Sequence, residues 1–457
     1  MPHCGYSKRH QIEMGECRQV CIFYFFVFAG NSFISEKQRN TIFGKLPTRQ
    51  IYSRKVKLCR SINSEPACST QMSFLKVVIA PSGFKECLSP EETSTAIAAG
   101  VRRALPGAEI TELPLVDGGE GFTHTLVSLL GGKIHKVKVT GPVGKQIHSF
   151  FGMLNNEDKP TAIIEMAAAA GLRLVPKKKR DPGVTTTYGV GELIKAALDA
   201  GARRIILGCG DSGTNDGGAG AVQALGVKML KPSGLPVDFG GRALLALAEI
   251  DTNGVDKRLA ETEIIVVCNI TNVLCGEQGV SRVYGPQKGA SKKKVAVLEH
   301  ALENYAAQIE SHTGLDVRYI PGGGASGGLG AGIHALLGAK LFNRWEIIFK
   351  YFDLDKALEH ADLVFTAEGG INFQTSRGKI PAEVARRAKL KGLPVFVLAG
   401  KVGEGAEKNY KIGIDAIFSI LSEPCTLEES MANCRQLLAR SAENVMRAFL
   451  AGRHTVE

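Results

Sequence analysis

Residues 76–115 read KVVIAPSGFKECLSPEETSTAIAAGVRRALPGAEITELPL, and their pattern decides the class of fold. KVVIAP (76–81) is a short apolar, β-branched run, the mark of a buried strand. SPEE at 89–92 then supplies a serine cap, a proline at the first helical position and early acids. AIAAGVRRAL carries that helix to residue 104, and Pro106-Gly107 breaks it. EITELPL (109–115) follows as the second strand. The same alternation continues outward. Strands are read at TAIIEMA (161–167), RIILGCG (204–210), EIIVVCNI (263–270), LVFTAEG (363–369), PVFVLAG (394–400) and AIFSIL (416–421). Helical patterns at 189–200, 292–311, 381–391 and 428–451 lie between them. Strands alternating with helices predict an α/β protein with parallel sheets.

The 457 residues suggest two or three domains, and 44 % hydrophobic with 22 % charged residues reads as globular. The formal charge of +11 is unevenly placed. Residues 1–72 hold 11 Lys/Arg against 4 Asp/Glu, and the rest of the chain carries a net of only +4. No basic stripe with interleaved aromatics is present, so neither nucleic acid nor a membrane is expected as a partner. Five of the 11 cysteines precede Met72, and the other six are scattered without a CxxC pair. Free thiols in a reducing compartment are the simple reading. The run VCIFYFFVFAG (20–30) is too short to span a bilayer as a helix. Residues 1–72 are therefore expected to be an extension outside the enzyme, with a signal-peptide core or an organelle transit peptide as alternatives. The cytoplasm is the expected compartment.

Four glycine-rich segments follow strands or open helices, where α/β proteins bind ligands. In IAPSGFKECLS (79–89), Lys85 stands past a strand end and suits a phosphate or a carboxylate; a solvated loop cation is the alternative. In LVDGGEGF (115–122), Asp117 and Glu120 are candidate Mg²⁺ ligands or simple turn acids. In GCGDSGTNDGGAGAVQALG (208–226), Ser212, Thr214, Asn215 and Asp216 crowd one loop. IPGGGASGGLGAGIHALLGA (320–339) brings Gly323, Gly324 and Ser326 to a helix start suited to anions. It also contains G-x-G-x-x-G at Gly322, Gly324 and Gly327, with Glu346 further on. No convincing strand precedes it, so nicotinamide binding is only an alternative. A P-loop, a protein-kinase motif set and a hydrolase elbow are all absent.

Taken together, the motifs resemble those of the glycerate kinase family. IAPSGFKECLS, VDGGEGF, VTGPVG, IEMAAAAGL, TTTYGVGELI, GDSGTNDGGAG, YGPQKGA, PGGGASGGLGAG, TAEGGINFQT and GKIP occur in that family's order, from about Phe74 to Gly452. The resemblance implies a Rossmann-like domain made from both ends of the chain (73–118 and 310–453). It also implies a second α/β domain inserted at 119–309, with the active site in the cleft. It implies transfer of the ATP γ-phosphoryl to a hydroxyl of D-glycerate, with Mg²⁺. Asp216 would accept the hydroxyl proton and Lys85 would neutralise phosphate. Asp117, Glu120 or Glu368 would hold the metal. Arg282, Gln287 and Lys288 of SRVYGPQKG would bind the substrate carboxylate. A homo-oligomer is left open.

Several positions depart from the common pattern. Ser82-Gly83 stand for Asp-Ser, Asp211 for Gly, Gly213 for Ala, Tyr188 for Arg, Asn269 for Asp, Gly370 for Arg and Asn372 for Asp. Asn372 and Asn269 are the features behind the alternative reading, a degenerate homologue that binds ligand with weak turnover.

Overall fold

The computed structural model describes residues 75–84, 87–154, 158–269 and 271–453. The N-terminal extension and Lys85 therefore lie outside the described residues, and residues 73–457 form a compact unit of their own.

The strands are β1 (Lys76–Ile79), β2 (Glu109–Glu112), β3 (Gly132–Thr140), β4 (Gln146–Leu154), β5 (Thr161–Glu165), β6 (Arg204–Gly208), β7 (Lys228–Leu230), β8 (Glu249–Asp251), β9 (Glu263–Cys268), β10 (Lys340–Asn343), β11 (Leu363–Ile371), β12 (Val395–Val402) and β13 (Ala416–Ser419). One sheet runs β13-β12-β11-β1-β2 and is parallel throughout. It joins the first two strands of the described chain to the last three, as the sequence pattern predicts. The other sheet runs β10-β9-β6-β5-β4-β3; it is parallel from β10 to β5 and antiparallel at β4 and β3.

Three details differ from the sequence reading. The hairpin β3–β4 went unread, because GKIHKVKVT alternates lysines with half-buried apolar residues and lacks a continuous apolar run. β10 pairs with β9 although residues 310–453 were expected to serve the first sheet. The helical pattern at 428–451 divides into Leu427–Ala432 and Cys434–Arg453.

Burial explains why these segments read so clearly. In β6, Ile205 and Leu207 face one apolar cluster while Ile206 faces another, so the strand is covered on both sides. The second cluster also takes Val78, Leu115, Phe122, Val364 and Val397, and so binds the two sheets into one unit. A third cluster packs the helices Pro90–Ala104 and Cys434–Arg453 on the outer face of the first sheet. Ser89 caps the former helix through a reciprocal box with Glu92.

Those two helices touch backbone to backbone at Gly100, where a Cβ would lie 2.1 Å from the Ala439 carbonyl oxygen and 2.8 Å from the Ala442 Cβ. Gly100→Ala must push the helices apart and should lower stability by about 1–3 kcal/mol. Thermal unfolding checks this, and an unchanged melting temperature would show that the contact yields freely.

Candidate functional site

The site is built where strands end. β6 runs out at Gly208 and the chain continues as the loop 209–218. β2 of the other sheet leads to the loop 117–121, which crosses the end of β6 so closely that a Cβ on Gly208 would lie 2.6 Å from the Gly118 carbonyl oxygen. The third segment, 322–332, closes from the opposite side. The Gly217 N–H donates to the Gly327 carbonyl at 2.9 Å, and a Cβ on Gly327 would sit 2.1 Å from the Thr214 carbonyl oxygen. Three glycine-rich segments thus meet main chain to main chain. Side chains at those positions would hold them apart.

Polar side chains lock the loops together. Asp216 is 1 % exposed. Its Oδ2 accepts from the Thr187 N–H (2.8 Å), the Thr187 hydroxyl (2.9 Å) and the Gly220 N–H (3.3 Å), and its Oδ1 accepts from the Gly218 N–H (3.3 Å). Burial raises its affinity for a proton, and the donors from Thr187, Gly218 and Gly220 oppose that. Lys288 is buried, and its Nζ donates to the Ser212 hydroxyl at 2.8 Å and to the Thr214 carbonyl at 2.7 Å. Burial lowers its pKa to about 7, with Asp216 pulling the other way. Asn215 donates to the Ser281 hydroxyl at 2.9 Å. Thr214 Oγ1, Asn215 Oδ1 and Ser326 Oγ are buried with no partner, so unspent hydrogen-bonding capacity is concentrated here.

A second polar group lies at the end of β11. Glu368 accepts from Thr375 Oγ1 at 2.5 Å and from Lys379 Nζ at 3.0 Å. Burial raises its pKa, Lys379 and Thr375 lower it, and the negative charge of Asp117 adds a smaller upward push. Asp117 takes the Gly119 N–H on Oδ1 at 3.3 Å and meets Arg344 on Oδ2 at 3.4 Å. Arg344 also donates to the Gly378 carbonyl, so it ties the two loop ends together.

The structure brings Ser212, Thr214, Asn215, Asp216 and Lys288 into one region, with Ser326 beside them through Gly327, and relates Asp117 to Glu368, while Gly324 lies against the Val273 main chain. It separates others. Arg282 is turned outward and paired with Glu299, and Gln287 is exposed, so neither stands with Lys288. Glu120 is exposed; its side chain meets Arg173 at 3.4 Å. Gly323 packs against Ile320. Among the described residues no group of three or more His, Cys, Asp or Glu side chains is gathered for a metal.

Sequence reasoning missed Glu165, Thr187, Arg344 and Lys379. Glu165 ends β5, is buried, and accepts from the N–H groups of Thr123 (2.9 Å) and Gly121 (3.4 Å), so it holds the start of the helix Phe122–Leu130 beside the 117–121 loop. Burial raises its pKa to about 7 against those two donors. The available signal was an acid closing the otherwise apolar run TAIIE.

The comparisons with known proteins fit this arrangement. The model of the glycerate kinase family matches residues 77–450. The chain belongs to that family. It is 44 % identical over 369 residues to a glycerate kinase of Halalkalibacterium halodurans, covering 81 % of this chain and 97 % of that one. It is 42 % identical over 378 residues to the glycerate 2-kinase of Escherichia coli K12, covering 83 % of this chain and 99 % of that one. A crystal structure assigned as glycerate kinase 2 from Salmonella typhimurium LT2 superposes with a TM-score of 0.70 at 44 % identity, covering 83 % of this chain and 99 % of that one.

The dinucleotide-like motif has no βαβ setting. Gly322 has φ +84°, no strand leads directly into it, and Glu346 lies inside the helix Arg344–Phe352. Departures from the family pattern are accommodated locally. Asp211 adopts φ 50°, a conformation in which glycine is at ease and aspartate is tolerated, and its carboxylate accepts the Glu120 N–H at 3.1 Å. Asn372 Oδ1 accepts the Gln374 N–H at 2.8 Å, and Asn269 Oδ1 accepts from both donors of Thr271 at 3.2 and 2.9 Å. Both asparagines act as turn formers here.

The geometry of Asp216 separates anchoring from proton transfer. Asp216→Asn would turn an amide NH₂ toward the donors of Thr187 or Gly218, costing about 1–3 kcal/mol. A clear fall in melting temperature is expected. An unchanged melting temperature with a kcat reduced by orders of magnitude would assign Asp216 to the proton instead.

Proposed function

We propose that this chain transfers the γ-phosphoryl group of ATP to a hydroxyl of glycerate, giving phosphoglycerate and ADP. The observation that carries the reading is the meeting of three glycine-rich segments, two following strands and one opening a helix, in a chain of this family. Phosphoryl transfer asks for positioning and charge neutralisation more than for covalent chemistry, and backbone-lined loops braced by buried polar groups supply positioning.

The residues divide the work as follows. Lys288 and Asp216 brace the 212–218 loop from behind. Unpaired Thr214 and Asn215 oxygens offer acceptors to the hydroxyl groups of a small polyol acid. Lys85 and Lys379 neutralise phosphate charge, and Arg344 fixes the loops that flank it. Mg²⁺ typically takes one or two carboxylates, with phosphate and water completing its shell. Asp117, half-exposed with lone pairs to spare, fits that demand, and Glu368 is its neighbour. Glu120 fits it less well because it faces Arg173. When bound, the ion would neutralise developing charge on the phosphates. Substrate carboxylate binding passes to the hydroxyls of Ser212 and Ser326, the latter unpartnered, since Arg282 is already paired.

The cytoplasm is the compartment this reading expects. Among the described residues six cysteines are free, and no helix is long and apolar enough to cross a membrane.

The test is coupled ADP release by the purified chain. ADP should appear from Mg-ATP only when D-glycerate is added, and product NMR should show a phosphorylated hydroxyl. Glycerate-independent hydrolysis, or no release at any glycerate concentration, would contradict the reading; NAD(H) reduction or oxidation would redirect it.

A further inference from the structure

Exposed aromatic rings and a concentration of cations meet on a flank of the 212–218 loop. Tyr188 opens the helix Tyr188–Asp199, directly after Thr187, whose N–H and hydroxyl bind Asp216. Its ring lies 5.0 Å from that of Phe239, centroid to centroid, tilted by 47°. Phe239 is 43 % exposed and Val184 45 %, so apolar area stands open beside the site. The backbone under the rings is fixed. A Cβ on Gly240 would lie 2.5 Å from the Val184 Cα, and one on Gly241 2.2 Å from the Asn215 carbonyl oxygen. The rings are thus held in place by main-chain packing against the loop itself.

Cations gather around this platform. The Arg242 N–H donates to the Gly183 carbonyl at 3.0 Å. KKKR (177–180) leads into the same turn. A Cβ on Gly289 would lie 2.2 Å from the Arg180 carbonyl oxygen, which brings in KKK (292–294) at the start of the helix Lys292–Thr313. Lys177, Lys178, Lys179, Arg242, Lys292 and Lys293 are exposed. Lysines on a first helical turn oppose the helix's own field as well as one another, and a bound anion removes that cost. Arg180 keeps a buried Nε without a partner. The acids close by are already paired, Asp181 with Lys294 at 2.7 Å and Asp238 with Lys231 at 2.8 Å. The sequence shows no such face because three separate segments build it.

We propose that this face binds a nucleoside phosphate, with the base on Tyr188 and Phe239 and the phosphates among the lysines and arginines. A base presents a flat π-face that stacks on aromatic rings, and phosphate oxygens take lysine and arginine donors. Glycerate has no ring, so the small acid does not account for the aromatic pair. The same chemistry serves the ATP consumed in the reaction and a second nucleotide sensed by the loop through Thr187 and Gly241. The two sources are told apart by the rate measurements below.

The rate measurements rest on the kinase reading; the binding measurements do not. Full-length protein is titrated calorimetrically with the non-hydrolysable ATP analogue AMP-PNP and with tripolyphosphate, which lacks a base. Phe239→Ala should weaken AMP-PNP by at least about fivefold, the loss that removing one stacking ring causes, and leave tripolyphosphate unmoved. Tyr188→Leu should act likewise, while Tyr188→Phe should bind as the parent does. Replacing Lys177, Lys178 and Lys179 together by glutamine should weaken both probes and flatten their loss of affinity with added salt. Thermal unfolding checks that each variant is folded. A KM for ATP that rises in Phe239→Ala in step with the AMP-PNP loss assigns the face to the reaction's own ATP. An unchanged KM with one of two bound equivalents lost assigns it to a second nucleotide. AMP-PNP affinity within about twofold of the parent in both Phe239→Ala and Tyr188→Leu would overturn the proposal. So would an equal loss of both probes in Phe239→Ala, which would mean a disturbed loop, or a loss of self-association with nucleotide affinity unchanged, which would give the face to a second copy of the chain. If the chain releases no ADP yet loses AMP-PNP in these variants, the kinase reading fails and the nucleotide face stands.

Discussion

The structure depends on main chain lying against main chain where two sheets end. Gly208 against Gly118 joins the loop of the five-stranded sheet to the loop of the six-stranded one, and Gly327 against Thr214 adds the third segment. Contacts this close exclude a Cβ, so they convert glycine content into geometry. Each loop leaves its neighbour's N–H and carbonyl groups to be satisfied by another loop, as the Gly217–Gly327 hydrogen bond illustrates.

From that constraint follow the buried polar groups. A loop without side chains at its contacts gains little from apolar burial, and charged groups fix it instead. Asp216 gathers donors from Thr187, Gly218 and Gly220, while Lys288 reaches Ser212 and the Thr214 carbonyl. Glu165 does the same for the 121–123 turn. Each buried ion shifts toward its neutral form, Lys288 downward and Glu165 upward, because burial penalises charge. These residues brace the loops, and beside them Thr214 Oγ1, Asn215 Oδ1 and Ser326 Oγ are buried without a partner.

Much of this was legible in the sequence. Apolar β-branched runs such as RIIL and EIIVV mark strands covered on both faces, and the structure has them so. The pairing of the chain's two ends into one parallel sheet followed from their strand–helix alternation, and the crowding of glycine after strands marked the site. What stayed hidden was direction. SRVYGPQKG reads as one basic patch, yet a helical turn and a 3₁₀ turn point Lys288 inward and Arg282 outward to Glu299. Asp216 reads as a base beside polar neighbours, and the sequence does not show that its hydrogen-bond donors include Thr187, 29 positions away. Asn372, the sharpest departure from the family pattern, spends its side-chain oxygen on the Gln374 N–H, which sequence spacing alone does not reveal.

If the close approach of the three segments makes the site, a single methyl group placed between two of them should disable it. Gly327, with φ +77° and the Thr214 carbonyl in its path, is the position to use. The measurement is kcat/KM for glycerate in Gly327→Ala, with the folded state checked by thermal unfolding. The account predicts a loss of at least about 100-fold, the effect of moving reacting groups by roughly 1 Å, in a protein that still unfolds cooperatively. Activity within about twofold of the parent would contradict it, because the loops would then not need one another's backbone to bind and orient the substrate.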